Sequence, residues 1–114
     1  MPLPSFTRQM IKKKFQEYCS NKIPKHIKKE IRLSYSIRGN SVTLWEERPV
    51  YFDPSEWSKS SVAQFRFSPK DQKWTLYCAD RNSRWHEYID THPVKDIDIL
   101  LKEVDEDPTG IFWG

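Results

Sequence analysis

Apolar and polar residues alternate cleanly from Ile31 to Arg38. Ile31, Leu33, Tyr35 and Ile37 fall on one side, and Arg32, Ser34, Ser36 and Arg38 on the other. This period of two marks a strand with one buried face. Gly39-Asn40 supplies the residue types of a two-residue hairpin turn, and Ser41–Glu47 returns. Pairing across that turn sets Ile37 against Val42 and Tyr35 against Leu44 on the apolar side. It sets Ser36 against Thr43, Ser34 against Trp45 and Arg32 against Glu47 on the polar side. Glu46 breaks the pattern, because it falls on the apolar side opposite Leu33. A bulge or the end of the strand is the simplest account; a buried acid with a raised pKa is the alternative.

Two further strands continue the pattern. Val62–Phe67 points Ala63, Phe65 and Phe67 inward and Gln64 and Arg66 outward. Pro69–Gln72 turns, and Trp74, Leu76 and Cys78 continue the apolar face, with Thr75, Tyr77 and Ala79 opposite. Phe67 then lies against Trp74, and Phe65 against Leu76. Asp80–Ser83 is a polar turn of residues that bond their own backbone and tolerate left-handed angles. Pairing Ala79 with Arg84 sets Tyr77 against His86 and Thr75 against Tyr88. That register puts Trp85 and Ile89 inward, with Glu87 between them. Residues 49–60 read as a loop packed down by Tyr51, Phe52 and Trp57.

The ends of the chain change period. Ile11, Phe15, Tyr18 and Cys19 recur on one helical face, so the pattern predicts a helix capped by Ser5 and ended by Ser20-Asn21. Pro24 suits the start of a short helical turn over Lys25–Lys29. Pro93 is expected to open a last helix, with Thr91 or His92 as cap and Val94, Ile97, Leu101 and Val104 as its buried stripe. Asp105, Glu106 and Asp107 oppose the dipole at its end, which calls for cations from the basic amino-terminal part. The apolar tail Ile111-Phe112-Trp113 is expected to dock on its own domain. Together these elements predict one α+β domain over residues 1–114: an antiparallel five-strand meander sheet with an N-terminal and a C-terminal helix on one face.

Composition adds constraints rather than a reaction. Of the 114 residues 37% are hydrophobic but 14% aromatic, so a few large rings must build the core. Residues 1–40 carry ten Lys/Arg against two Asp/Glu, while 41–114 carry nine against fourteen, so a net +3 conceals a basic first third. That segment can meet nucleic acid or answer the chain's own acidic end; Lys12, Lys13 and Lys14 read most simply as a solvated face. Cys19 and Cys78 share no metal or redox spacing and are expected as reduced thiols. No apolar run is long enough for a membrane span, and the expected location is cytoplasmic.

Four stretches also resemble a known family. They are R-G-N-S-V-T-L (Arg38–Leu44), W-T-L-Y (Trp74–Tyr77), D-R-N-S-R-W-H-E-Y (Asp80–Tyr88) and D-P-T-G-I-F-W-G (Asp107–Gly114). They are similar to the bacterial family catalogued as domain of unknown function 3024. The resemblance runs from about residue 23 to the end, leaving the basic helix of residues 1–22 outside it. It implies no activity, cofactor or catalytic residue.

No phosphate-binding glycine loop, nucleophile elbow or two-histidine metal helix is present. His86, Asp90 and His92 are close in sequence, but a strand and a helix approach separate them, so cap and surface roles account for them better than a metal. No cofactor is expected. The chemistry that stands out is a sheet face gathering Arg66, Tyr77, Arg84, His86 and Tyr88, with Arg81 in the turn and Arg32, Arg38 and Trp45 on the first hairpin. Rings that stack on bases and cations that meet phosphates are how sheet-surface modules hold single-stranded nucleic acid. The same residue types line subunit interfaces, so a homodimer burying this face is the alternative. A third reading is a phosphoester-acting enzyme using Asp80, Arg84 and His86, with Glu46 drawn into the same pocket.

Overall fold

The computed structural model describes residues 3–113 and has the expected architecture, with two helices lying over one face of a five-stranded antiparallel sheet. Helix α1 spans Ser5–Lys22. Ser5 is its first helical residue rather than its cap; extended Pro4 holds that position, and its carbonyl accepts from Arg8 N at 2.8 Å. The helix runs through Ser20-Asn21 and stops at Ile23, because a residue before proline is forced out of helical backbone. A 3-10 turn follows at Lys25–Ile27. Ile11 and Phe15 are fully buried, and the Phe15 ring meets Phe65 edge-on at 5.3 Å and Tyr35 at 5.6 Å.

Strands β1 (Arg32–Arg38) and β2 (Ser41–Val50) pair in the expected register, from Arg38 with Ser41 to Arg32 with Glu47. Gly39 takes a positive φ of 59°, which the tight turn requires at its first central residue. Asn40 then ties the turn to the third strand: its side-chain amide donates to Phe67 O at 2.7 Å, and its carbonyl accepts from Phe67 N at 2.9 Å. Strand β3 (Asp53–Ser68) pairs with β4 (Lys73–Ala79) with Phe65 against Leu76 and Phe67 against Trp74, again as expected. Val42, Leu44, Phe65, Trp74 and Leu76 are buried beneath the helices.

The segment 49–60 is not a packed loop. β2 continues to Val50 and β3 begins at Asp53, so the two strands form a long ribbon turning at Tyr51-Phe52, which are 98% and 81% exposed. A two-stranded ribbon satisfies its backbone by pairing, without an apolar stripe, which is why alternation did not announce it. A bulge stands where the ribbon leaves the core. Leu44 faces Ala63 and Trp45 faces Ser61, so Val62 is an extra residue in β3 and is buried. Just past it Glu46 faces exposed Ser60 and accepts from Arg48 Nε at 2.8 Å.

β5 (Trp85–Glu87) is where the expected register fails. Ala79 faces Trp85, Cys78 faces His86 and Tyr77 faces Glu87, one residue out of step with the reading above. The turn takes five residues, closed by Asp80 N donating to Arg84 O at 2.9 Å, with Ser83 at φ 62°. A slip of one reverses every side chain. Tyr88 therefore goes inward, buried at 4% exposure, while Ile89 is exposed.

Helix α2 spans Ile97–Glu106 and is capped by Asp96, whose carboxylate accepts from Asp98 N. Pro93 does not open it. Val94 instead pairs as a bridge with Trp74, and Leu100 replaces it in the buried stripe. Asp107 closes the helix at φ 45° and accepts from Phe112 N and Trp113 N. Trp113 Nε1 donates to Val104 O at 2.7 Å and Phe112 is buried, so the tail docks as expected. The two helices are joined by Lys22–Asp105 at 2.7 Å and Lys14–Asp98 at 2.6 Å, so α1 supplies a cation to the acidic carboxyl end of α2 and a second to its first turn. Among the described residues no helix is long and apolar enough to cross a membrane.

Candidate functional site

The sheet face away from the helices carries the chemistry. Alternation on each strand delivers Arg32, Ser34, Ser36 and Arg38 from β1, and Thr43, Trp45 and Glu47 from β2. β3 adds Trp57, Lys59, Gln64 and Arg66; β4 adds Thr75 and Tyr77; β5 adds Trp85 and Glu87. Three cation–ring pairs cross it among the described residues. The Arg66 guanidinium lies 3.8 Å from the Tyr77 ring centre, that of Arg32 lies 3.9 Å from Trp57, and Lys59 Nζ lies 5.9 Å from Trp45. Each cation is held in place at little further entropic cost once a ring supports it.

Polar side chains lock this layer. Arg66 Nε donates to Gln64 Oε1 at 2.6 Å, and Gln64 Nε2 donates to Thr43 Oγ1 at 3.0 Å. Trp45 Nε1 donates to Ser36 Oγ at 2.9 Å. Arg32 donates to the buried Glu47 carboxylate at 3.3 Å. Burial would raise the Glu47 pKa, but the neighbouring Ser34 hydroxyl, the bond from Arg32 and the charges of Arg32 and Lys59 outweigh it and hold it below the usual carboxylate range. A cleft of about 350 Å³ opens at the end of β4, between Trp45, Lys59 and Ser61 on one side and Ala79, Asp80 and Trp85 on the other.

The residues expected to share one surface divide into three places. Trp45, Arg66, Tyr77 and Arg38 lie on the outer face. Arg81 and Arg84 lie in the β4–β5 turn. His86 sits opposite inward-facing Cys78 at the sheet margin, where its Nε2 is 2.8 Å from Asp80 Oδ2. That contact, with the backbone donors of Arg84 and Asn82, lowers the Asp80 pKa. Tyr88 leaves the candidate surface altogether. Its ring packs 5.0 Å from Phe112 and its hydroxyl donates to Glu103 of α2 at 2.9 Å, because the slipped register turns it beneath the helix.

Trp57, Lys59 and Trp85 belong to the face although the sequence pattern did not place them there. The signal for the first two was the alternation W-S-K-S, legible only once β3 is known to extend through it. Helix α1 lies on the opposite side of the sheet, so its lysines do not extend the cationic surface. Glu46 is paired with Arg48 and does not line the cleft beside Asp80. Among the described residues no three His, Cys, Asp or Glu side chains come together to hold a metal.

A family model described as "Domain of unknown function (DUF3024)" matches residues 3–114. The chain belongs to the DUF3024 family. The match takes in α1, which the four sequence motifs alone left outside, so the DUF3024 unit is the whole two-layer domain. Comparison with curated proteins and with solved structures returned no match. In this member of the family the four stretches form the β1–β2 turn, the buried strand β4, the β4–β5 turn and the α2 cap with its docked tail.

Proposed function

We propose that this DUF3024 domain is a binding module whose outer sheet face holds single-stranded nucleic acid. The observation that carries the reading is the uncovered face with Arg66 stacked on Tyr77, flanked by the Arg32–Trp57 and Lys59–Trp45 pairs. A guanidinium lying flat on a ring presents its other face to an unpaired base and its N–H edge to a phosphate. Arg38 extends the cationic track at the end of β1. The two unpaired cysteines support a reducing, cytoplasmic setting for such a role.

The test is a tryptophan-fluorescence titration with short single-stranded DNA and RNA at several salt concentrations. Affinity should fall with salt at a log–log slope of about −2 to −3, as expected for three or four neutralised phosphates on a single strand. Tyr77→Ala and Arg66→Ala should each weaken binding about tenfold, in line with the loss of one stacking contact. Absence of binding at low salt, or binding unaffected by either substitution, refutes the reading.

A further inference from the structure

We infer that the free edge of β3 pairs with the same edge of a second copy of this chain, antiparallel, about a two-fold axis at Ser58. Beyond the bulge, β3 is bonded to β2 on one side only, since β4 pairs no further than Ala63. The direction of the free groups follows from the ladder. Arg38 and Ser41 flank a two-residue turn, so the backbone of Ser41 points to β1, and that of the even-numbered residues Val42 to Arg48 points to β3. Their partners Ser60 and Ser58 point back at β2. The N–H and C=O groups of Trp57, Lys59 and Ser61 therefore face outward. Among the described residues none of the three has a backbone bond beyond the β2 ladder. Pro49 obeys the same rule on the other margin, where its missing N–H points past the end of β1.

A strand edge this long and open is a template for another strand. Lysine on an edge ordinarily discourages pairing, and the choice of axis shows why it does not here. Only residues with the same backbone direction can face each other, so a two-fold must pass through a residue. An axis at Glu56 or Lys59 sets like charges face to face. An axis at Trp57 brings together two indoles that each carry an Arg32 guanidinium. The axis at Ser58 places Lys59 opposite the partner's Trp57, twice, on the same face of the sheet, and leaves Glu56 opposite the partner's Ser60. Lysine then faces an indole instead of another lysine.

The same axis gives the ribbon tip a destination. Trp57 of one copy faces the partner's Lys59, and just past the partner's Ser61 β4 blocks further pairing. The tip arrives at the cleft beside Ser61, Ala79, Asp80 and Trp85. Tyr51 and Phe52, the most exposed ring-bearing pair adjacent in the chain, are carried into it. Edge pairing leaves Arg66 and Tyr77 open, so the inference does not depend on the nucleic-acid reading and is tested without nucleic acid.

The experiment is sedimentation equilibrium of the full chain over roughly 1 to 500 μM, which brackets micromolar to near-millimolar affinities, together with site-specific cross-linking. The intact protein should move from the chain mass towards twice that mass with concentration. Lys59→Pro removes one outward donor while sparing the β2 ladder, and should abolish the dimer with the fold retained by circular dichroism. Ser58→Cys should form an intermolecular disulfide under mild oxidation, because facing residues at a non-hydrogen-bonded site lie within disulfide reach. Ser60→Cys should not. A monomer at every concentration, with no Ser58→Cys cross-link, overturns the inference. So does a dimer that tolerates Lys59→Pro and cross-links at Ser60→Cys.

Discussion

Tyr88 decides between two registers of β5, and its removal gives a measurable answer. In the register expected from alternation alone it lies on the open face, where truncation to alanine changes stability by no more than about 0.5 kcal/mol. In the structure it is 4% exposed, its ring rests on Phe112, and its hydroxyl donates to Glu103. Tyr88→Ala then leaves a ring-sized cavity between β5, α2 and the docked tail, at a cost of about 3–5 kcal/mol. For a domain of this size that lowers the melting temperature by about 12–40 °C, at about 4–8 °C per kcal/mol. Tyr88→Phe keeps the ring and removes only the hydroxyl. Its cost should be about 1 kcal/mol, because the half-buried Glu103 carboxylate can recover a water. Glu87→Ala is the control, since Glu87 faces outward beside Tyr77 and should cost under about 0.5 kcal/mol. Urea denaturation followed by tryptophan fluorescence and far-ultraviolet circular dichroism gives all three values. A Tyr88→Ala loss below about 1 kcal/mol, or a Glu87→Ala loss larger than that of Tyr88→Phe, refutes the register and the packing drawn from it.

Other perturbations test separate contacts. Burial pushes the Cys19 thiol from an ordinary 9 up to about 11, so its contribution is complete below pH 9 and is lost as pH rises from 9 towards 11. The urea midpoint should fall over that range and fall less in Cys19→Ala; Tyr18, raised by burial and by Asp105, acts in the same direction at higher pH. Gly39→Ala should cost about 1–2 kcal/mol, the penalty for a Cβ at φ 59°, even though the space around it is open; thermal melting measures it. Asp107→Ala removes the acceptor for Phe112 N and Trp113 N. It should cost about 1–3 kcal/mol and red-shift tryptophan emission as Trp113 leaves Val104.

The first hairpin was legible residue by residue because two independent signals agreed. Alternation marked both strands, and a two-residue turn allowed only one register between them. Phe67 against Trp74 and Phe65 against Leu76 followed for the same reason. β5 offered neither signal. Three paired residues are too few for a period, and the turn before it puts Ser83 in left-handed backbone, which its residue type does not demand. Glycine there would have pointed to the longer turn. Pro93-Val94 imitated a helix start, yet Val94 was spaced for the buried side of either element, and only its bridge to Trp74 shows which it joined. The outer face was half legible. Trp45, Arg66 and Tyr77 came from well-registered strands. Trp57 and Lys59 lie where both side chains and backbone meet solvent, and hydrophobic patterning reports burial rather than pairing.

The placement of the Val62 bulge divides the molecule mechanically. On one side of it the central strands carry the buried core of Phe65, Trp74 and Leu76 under Phe15, and their amide hydrogens should exchange only when the whole domain opens. On the other side the ribbon is held by its rungs and by the Arg32–Trp57 stack, with no buried ring from either helix above it. Rungs near Tyr51 therefore unzip and re-form on their own, at a small fraction of the global free energy. The domain behaves as a stiff block with a spring-like finger, and the bulge is the knuckle.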